Sequence, residues 1–181
     1  MAGFHTKTFI KHDEYMTPKY AWQNIAQYIP KNKVIWECFY GDGTSGEYFR
    51  SLGFTVIHEP IDFFKNNKGD IIVSNPPFSK VPQIIHRLVH EIKKPFILIM
   101  PSSKINTQYF RKCFQDVEKP QIIIPRRRIH FKKKINGKVP KNWRNACNFD
   151  TFYYCWKIGL KDDITWLNDD ECVEMKKKYL I

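Results

Sequence analysis

The sequence predicts an α/β domain in which a mostly parallel β-sheet carries helices on both faces. Short apolar runs bounded by turn residues recur along the chain, and helical patterns separate several of them. These runs are mostly apolar rather than alternating, which is typical of strands that are buried on both faces. At 181 residues the chain is long enough for one such domain and too short for two ordinary ones. We therefore predict a single domain over residues 1–181.

The order of the predicted elements follows from the positions of these runs. The predicted strands comprise residues 33–39, 54–58, 70–74, 96–100, 121–124 and 151–158. The predicted helices comprise about residues 44–52, 80–92 and 106–116, and one more starts at Thr17-Pro18 and stops at Pro30. Thr44 or Ser45 is a suitable cap for the helix over 44–52, and Gly53 is its stop. In the tail, acidic residues 169–171 precede lysines 176–178, the charge order that a helix dipole favours.

The composition restricts the classes of function. A formal net charge of +12 favours polyanionic partners and raises their encounter rate. The five cysteines form no C-x-x-C pair and have no histidine at zinc-ligand spacing, so we expect reduced thiols and no metal site. The chain opens without a secretory signal, and no uncharged apolar stretch reaches the roughly 20 residues that span a bilayer. We expect a soluble, cytoplasmic protein.

A first candidate ligand loop follows the strand over 33–39. In an open α/β sheet, ligands bind beyond the carboxyl ends of the strands. The loop Glu37-Cys-Phe-Tyr-Gly-Asp-Gly43 lies at such an end, and Gly41 and Gly43 allow the backbone to approach a ligand closely. Asp42 would repel a phosphate, so a cationic cofactor that carries an amino-acid group fits better. An ordinary turn is the alternative interpretation of this short pattern.

A second and more specific loop is Asn75-Pro-Pro-Phe78, directly after the apolar strand over 70–74. Two prolines after a strand fix an extended backbone and remove two N–H donors. The outward-facing groups are then acceptors, the side-chain oxygen of Asn75 and the carbonyl oxygen of Pro76. Phe78 adds a flat apolar face. Rigid acceptors beside a ring suit an aromatic amine that lies in the plane of the acceptors and stacks on the ring. A plain proline-rich turn is the alternative interpretation of this loop.

These two loops together resemble those of amino-methyltransferases. With the upstream segment Asp13-Glu-Tyr-Met-Thr-Pro-Lys-Tyr20, the chain resembles the small adenine-N6 methyltransferases of phages and large viruses over roughly residues 12–160. The segment Asp62-Phe-Phe64 and the stretch Arg126–Phe131 fit the same group. The resemblance implies a Rossmann-like class I methyltransferase fold with a mostly parallel seven-stranded sheet. It also implies S-adenosyl-L-methionine as the cofactor.

The resemblance also implies a role for each matching residue. The catalytic loop that holds the target base would be Asn75, Pro76, Pro77 and Phe78. The cofactor would be held by Tyr15 and Thr17 near its carboxylate, by Glu37, Phe39, Gly41 and Gly43 along its methionine part, by Glu59 at the ribose hydroxyls, and by Asp62 and Phe63 at the adenine. Only about ten residues separate Glu59 from Asp70, so the helix usual at this point is short or missing.

A basic arm is predicted at about residues 125–144. The stretch Pro125–Lys141 holds eight Lys or Arg in seventeen residues, and Phe131 and Trp143 lie in or beside it. Such clusters bind phosphates, and interleaved aromatic rings stack on unpaired bases. The candidate nucleic-acid contacts are Arg126, Arg127, Arg128, Lys132, Lys133 and Lys134. Asn136-Gly137 predicts a hairpin turn, and a localisation patch or a solvated loop is the alternative for the arm.

The sequence leaves four functions open. The first is N6 methylation of adenine in DNA, and the second is N6 methylation of adenosine in RNA, including messenger or cap-adjacent adenosine. The third is methylation of a Gln or Asn side chain in a protein, which uses a related Asn-Pro-Pro loop. The fourth is a non-catalytic binding module that kept the fold. The sequence does not fix the oligomeric state or the recognition sequence.

Overall fold

The protein is built on one large sheet and one small one, as seen in a computed structural model that describes residues 15–133 and 149–168. The strands in chain order are β1 (Tyr15–Met16), β2 (Ile35–Trp36), β3 (Val56–Ile57), β4 (Ile71–Ser74), β5 (Phe96–Pro101), β6 (Gln121–Ile124), β7 (Lys132–Lys133), β8 (Thr151–Trp156) and β9 (Ile164–Trp166). Seven of them form the large sheet in the order β3-β2-β4-β5-β8-β6-β9, and β1 pairs with β7.

Only β8 runs against its neighbours in the large sheet. It is antiparallel to β5 and to β6, whereas every other pair of adjacent strands is parallel. The carboxyl ends of the six remaining strands therefore meet at one edge, which we call the carboxyl edge. The predicted Rossmann-like α/β fold with a mostly parallel seven-stranded sheet is confirmed.

Four α-helices are described, and they form two packed pairs. They are α1 (Lys19–Gln23), α2 (Thr44–Ser51), α3 (Val81–His86) and α4 (Gln108–Cys113), and α3 continues as a π-helix over Arg87–Ile92. Short 3-10 helices occupy Ala26–Tyr28, Phe63–Lys65, Phe78–Lys80 and Ser102–Asn106. Helix α1 contacts α2, and α3 contacts α4.

The two helix pairs cover opposite faces of the sheet. Successive residues of a strand point to opposite faces, so the contacts of Tyr153 and Tyr154 of β8 show which helices cover each face. The Tyr153 hydroxyl donates to the Ala21 carbonyl of α1 at 2.7 Å, while the Tyr154 ring packs against Phe110 of α4 at 5.4 Å between centroids. All residues of β4 and β5 are buried. The central strands are thus covered on both sides, which explains why their sequences are continuously apolar.

The predicted elements are present, with several differences. The strands predicted over 33–39 and 54–58 are ladder-paired only at β2 and β3, and the helix predicted over 106–116 is shortened to α4. The pairing of β1 with β7 and the edge strand β9 were not predicted. Neither Thr44 nor Ser45 caps α2, because the cap position is Gly43. The predicted tail helix, the Asn136-Gly137 turn and Lys134 lie outside the described residues.

The described helices include none that is both long and apolar enough to cross a membrane.

Candidate active site

A cavity of about 320 Å³ opens at the carboxyl edge, beside the ends of β2 and β4. Its lining includes the predicted cofactor residues Tyr15, Thr17, Glu37, Phe39, Gly41, Asp62 and Phe63, and the predicted catalytic residues Asn75 and Pro77. Segments that are distant in the sequence therefore meet around one space. Gly43, Glu59, Pro76 and Phe78 do not contribute to this lining. The volume is within the range of small-molecule sites.

Glu37 supplies a buried carboxyl group to the cavity. It is the first residue after β2 and is 1% exposed. Its Oε1 atom accepts hydrogen bonds from the Ser74 hydroxyl and from the backbone N–H of Phe39 at 3.1 Å. Burial raises the pKa of Glu37 to about 8, although these two hydrogen bonds oppose the shift. A carboxyl group in this state is stabilised as an anion when a cation is bound beside it.

The loop after Glu37 turns into α2 through two glycines with positive φ. Gly41 has φ of 58° and lines the cavity, and Gly43 has φ of 85° at the start of α2. Asp42 Oδ1 accepts from the backbone N–H of Thr44 at 3.1 Å and from its hydroxyl at 2.6 Å. The side chain of Asp42 therefore occupies the first free donor of the helix, a position at which a phosphate would otherwise bind.

His58 supports this loop from behind. It is 7% exposed, and its Nδ1 atom accepts the backbone N–H of Gly46 at 3.0 Å. A Cβ atom on Gly46 would lie 2.4 Å from that nitrogen, so only glycine fits beneath the imidazole ring. Burial lowers the pKa of His58, which keeps Nδ1 available as an acceptor. Gly46 and His58 thus fix the first turn of α2 next to the cavity.

We expect Gly46→Ala to destabilise the protein by about 1–3 kcal/mol, because the added methyl group overpacks against His58. Chemical denaturation at neutral pH measures this loss. Ser51→Ala in the same helix is the matched control, since Ser51 is exposed and its hydroxyl donates to the Tyr48 carbonyl within α2. Equal stability of Gly46→Ala and the parent protein would contradict the close packing of His58 on α2.

Asn75 lines the cavity and carries a buried acceptor atom without a described partner. Its Nδ2 atom donates to the Tyr15 carbonyl at 3.1 Å, and this bond fixes the amide orientation because the reverse orientation would set two oxygens against each other. Its Oδ1 atom is buried and has no hydrogen-bond partner in the part of the chain that the structure describes. Other described side chains also have such atoms, but Asn75 is the one among them that lines the cavity. A buried acceptor without a partner is costly, so this atom is a candidate ligand-binding group.

The structure corrects the expected position of the Phe78 ring. Phe78 is 3% exposed and packs in an aromatic cluster with Tyr15, Phe131 and Phe149. The Tyr15 ring lies nearly parallel to it at 5.9 Å, and Phe149 meets it edge-on at 5.5 Å. Phe78 is therefore a buried support of the loop in this structure, and it does not offer an open face to the cavity. Pro76, next to it in the loop, is also buried.

The segment between β3 and β4 is short, as predicted, and contains one 3-10 turn. Phe63 is buried against Trp36 at 5.7 Å and Phe39 at 5.1 Å between ring centroids. Asp62 lines the cavity, but its Oδ1 atom already accepts from the backbone N–H of Phe64 at 2.9 Å. Glu59 lies outside the cavity lining and pairs with Lys68 at 3.1 Å. The structure thus brings Asp62 and Phe63 to the cavity and not Glu59.

The start of the basic arm is tied to the cavity. Met16 of β1, which lines the cavity, pairs with Lys132 of β7, whose side chain is exposed. Behind this pair, Phe131 and Ile129 are fully buried. Arg126 and Arg127 are also exposed. The described part of the arm is therefore anchored by alternating apolar residues and directs its charges to solvent.

One predicted contact of the arm has a structural partner. Arg128 forms a two-bond ion pair with Asp150, with Nε to Oδ1 at 2.7 Å and Nη2 to Oδ2 at 3.3 Å. This pair connects the end of β6 to the residue before β8. Arg128 therefore holds two segments together. Arg126, Arg127 and Lys132 are exposed and remain candidates for phosphate contact. The structure describes the backbone of Lys133, in β7, and not its side chain.

Sequence reasoning missed two groups of the site. Ser74, fully buried, donates its hydroxyl to Glu37 and so connects the two loops. Lys80 lines the cavity as an exposed cation three residues after Pro77. The apolar pattern of β4 concealed Ser74, since a single serine at the end of a strand has no distinctive signal. Lys80 could have been found by counting one helical turn from the Asn-Pro-Pro-Phe loop.

Comparisons with known proteins find a similar solved structure but no matching family. No protein-family model matches the chain. No curated protein matches it either. Among solved structures, a precorrin-6y C5,15-methyltransferase from Geobacter metallireducens is similar, with 12% sequence identity and a TM-score of 0.40. The match covers 80% of this chain and 95% of that one.

Among the described residues, no group of three or more His, Cys, Asp or Glu could hold a metal ion.

Proposed function

We propose that the protein is an S-adenosylmethionine-dependent methyltransferase that adds a methyl group to the N6 amino group of adenine in DNA. The observation that carries this proposal is Asn75, which lines a cavity shared with the glycine loop and whose buried Oδ1 atom has no protein partner among the described residues. An exocyclic amine would donate the hydrogen bond that this oxygen atom lacks.

The residues of the cavity fit the cofactor. S-adenosylmethionine supplies an activated methyl group on a cationic sulfur when bound. Glu37 is a buried acid whose pKa is raised to about 8 by burial, and a cation bound beside it would lower that pKa and favour the anion. Gly41 leaves the backbone open to close approach, and the aromatic residues Phe39 and Phe63 offer apolar surface for a ring. Asp42, held on Thr44, disfavours a phosphate at the same loop.

The role that we assign to Asn75 is to change the electron distribution of the substrate amine. The lone pair of an adenine N6 atom is delocalised into the ring and is a poor nucleophile. Asn75 Oδ1 accepts one N6 hydrogen, and the Pro76 carbonyl is the second acceptor implied by the family resemblance. Two acceptors pull the nitrogen toward a tetrahedral geometry and localise its lone pair for attack. Positioning and electrostatics supply the catalysis. Once the nitrogen carries the methyl group, its remaining proton is acidic and is lost to water.

The charge distribution supports a nucleic acid as the carrier of this adenine. The chain has a formal net charge of +12, and exposed Arg126, Arg127 and Lys132 lie in the segment that starts at the carboxyl edge. Such cations give affinity for phosphates without sequence choice. A base within a duplex must be flipped out before it can reach Asn75, at a cost of a few kcal/mol.

Methyl-transfer assays test this proposal. We expect label from S-adenosylmethionine to enter DNA oligonucleotides that contain adenine, and digestion to nucleosides to yield N6-methyladenine. Matched DNA and RNA oligonucleotides, single-stranded and duplex, determine the preferred carrier. Incorporation into RNA alone would replace the DNA assignment by the RNA one. Label in cytosine only, or in none of these oligonucleotides, would overturn the proposal.

A further inference from the structure

The edge strand β9 carries an unusual amount of exposed apolar surface. Ile164 is 53% exposed and Trp166 is 67% exposed. They are two residues apart in a strand and therefore lie on the same face of the sheet. A large aromatic side chain this open marks an interaction surface more often than a lone aliphatic residue does. The mechanism proposed above makes no use of it.

Trp166 lies close to the start of the basic arm. Strand β9 is parallel to β6, and Trp166 pairs with Ile124, the last residue of β6. The register is held by the Leu167 N–H, which donates to the Ile124 carbonyl at 3.0 Å. The chain leaves β6 through Pro125 and the exposed residues Arg126 and Arg127. An exposed indole and two exposed guanidinium groups thus share one end of two paired strands.

The same end of these strands is the carboxyl edge at which the cavity opens. Strands β6 and β9 run parallel to β4, which ends at Ser74, the residue before Asn75. At about 4.8 Å between neighbouring strands, four spacings separate β4 from β9, or about 19 Å.

We infer that an unpaired nucleic-acid strand runs along the carboxyl edge from the cavity, past Arg126 and Arg127, to Trp166, on whose ring one of its bases stacks. Charge complementarity selects this occupant, since two exposed arginines follow the strand that pairs with Trp166 and the whole chain is strongly basic. Stacking requires a base that is not paired, so the inference assigns a single strand as the bound form. It rests on the proposed function, which locates the target adenine at Asn75.

The geometry sets a length for this contact. A stacked strand advances about 3.4 Å per nucleotide, so about 19 Å corresponds to roughly six nucleotides, and to fewer if the strand is extended. The affinity of single-stranded oligonucleotides should rise as nucleotides are added on one side of a lone adenine. The rise should stop once that side is about six nucleotides long. Additions on the other side should have a smaller effect.

Binding measured by fluorescence anisotropy tests the inference without any methyl transfer. We expect Trp166→Ala to weaken binding of long oligonucleotides by roughly 5- to 150-fold, the range for losing one aromatic stacking partner, and to remove the length dependence. Trp166→Phe should retain most of the affinity, which excludes a folding defect. Ile164→Ala is the matched control for exposed apolar surface on the same strand, and it should bind like the parent.

A charge variant tests the arginines. The double variant Arg126→Ala, Arg127→Ala should lower the slope of log affinity against log salt by roughly 1.4 for a single strand. Lys161→Ala, an exposed cation before the other end of β9, should leave the slope unchanged. Unchanged affinity in Trp166→Ala would overturn the inference, and so would a parent dimer that Trp166→Ala dissolves in sedimentation. If the parent binds with this length dependence but transfers no methyl group, the proposed function fails and the binding surface stands.

Discussion

Replacing Asn75 by alanine is expected to lower kcat for methyl transfer by at least about 100-fold, the effect of removing one preorganised hydrogen-bonding group from a transition state. The acceptor that localises the N6 lone pair is lost, whereas the groups around Glu37 and Gly41 are untouched. Affinity for S-adenosylmethionine should therefore stay within a few-fold of the parent value. Steady-state assays and calorimetric titration measure the two quantities separately.

Two controls make this result specific. Asn75→Asp keeps an oxygen acceptor but loses the N–H that donates to the Tyr15 carbonyl, so we expect it to be impaired as well. Asn106→Ala removes the same side chain from an exposed position at which its oxygen accepts a hydrogen bond from Arg111, and it should retain parent activity. Parent-like kcat in Asn75→Ala would show that the amide does not act on the substrate.

The second large effect is expected from Glu37→Gln, and it depends on pH. Glu37 is neutral in the free protein below its pKa of about 8 and becomes an anion when a cationic cofactor binds beside it. Binding then releases a proton, so the parent protein should bind S-adenosylmethionine on the order of 20-fold more tightly at pH 8.5 than at pH 6.5. Glutamine keeps the shape and the hydrogen bonds to Ser74 and Phe39 but carries no charge. It should weaken binding at pH 8.5 and abolish the pH effect.

The ratio of the dissociation constants of Glu37→Gln and the parent is the quantity to follow, because titration of the cofactor's own amino group cancels in it. We expect this ratio to rise with pH and to level off above about 8. A ratio that is constant with pH would mean that Glu37 does not ionise on binding. Calorimetry in buffers of different ionisation enthalpy measures the released proton independently.

The same pKa predicts the stability of the protein without cofactor. The pKa of Glu37 is about 8 in the folded state and 4.5 when exposed, so the folded protein retains a proton that the unfolded chain has lost. Stability that depends on Glu37 is therefore greatest below pH 4.5 and declines as pH rises toward 8, by about 5 kcal/mol at most. Glu37→Gln should remove this decline in denaturation measured between pH 5 and 8. A parent protein whose stability shows no more decline than Glu37→Gln would contradict the burial of an ionisable group here.

Local sequence determined the parts of the site that depend on one strand and the turn after it. The apolar run of β4 and the two prolines after it fix where Asn75 lies, because neither proline can continue a ladder or a helix. The position of Glu37 is fixed in the same way by β2, and the positions of Gly41 and Gly43 are fixed by the tight turn into α2. These features do not depend on distant partners, so they could be predicted from the sequence.

Features that depend on distant partners were not predictable from local patterns. Phe78 is buried because Phe131 and Phe149, far away in the chain, pack against its edge. The carbonyl that orients Asn75 belongs to Tyr15, which is held by pairing of β1 with β7. Strand β9 escaped prediction because only one of its three residues is partly buried, so it has no apolar run.

The central claim is that the cavity holds a cationic methyl donor beside Asn75, with room between them for a planar base. A crystal structure with S-adenosylhomocysteine tests it most directly. We expect the amino-acid part of that molecule beside Glu37, its sulfur facing Asn75, and the Asn75 Oδ1 atom still available to a base. A ligand bound elsewhere, or one whose own adenine hydrogen-bonds to Asn75 Oδ1, would contradict it.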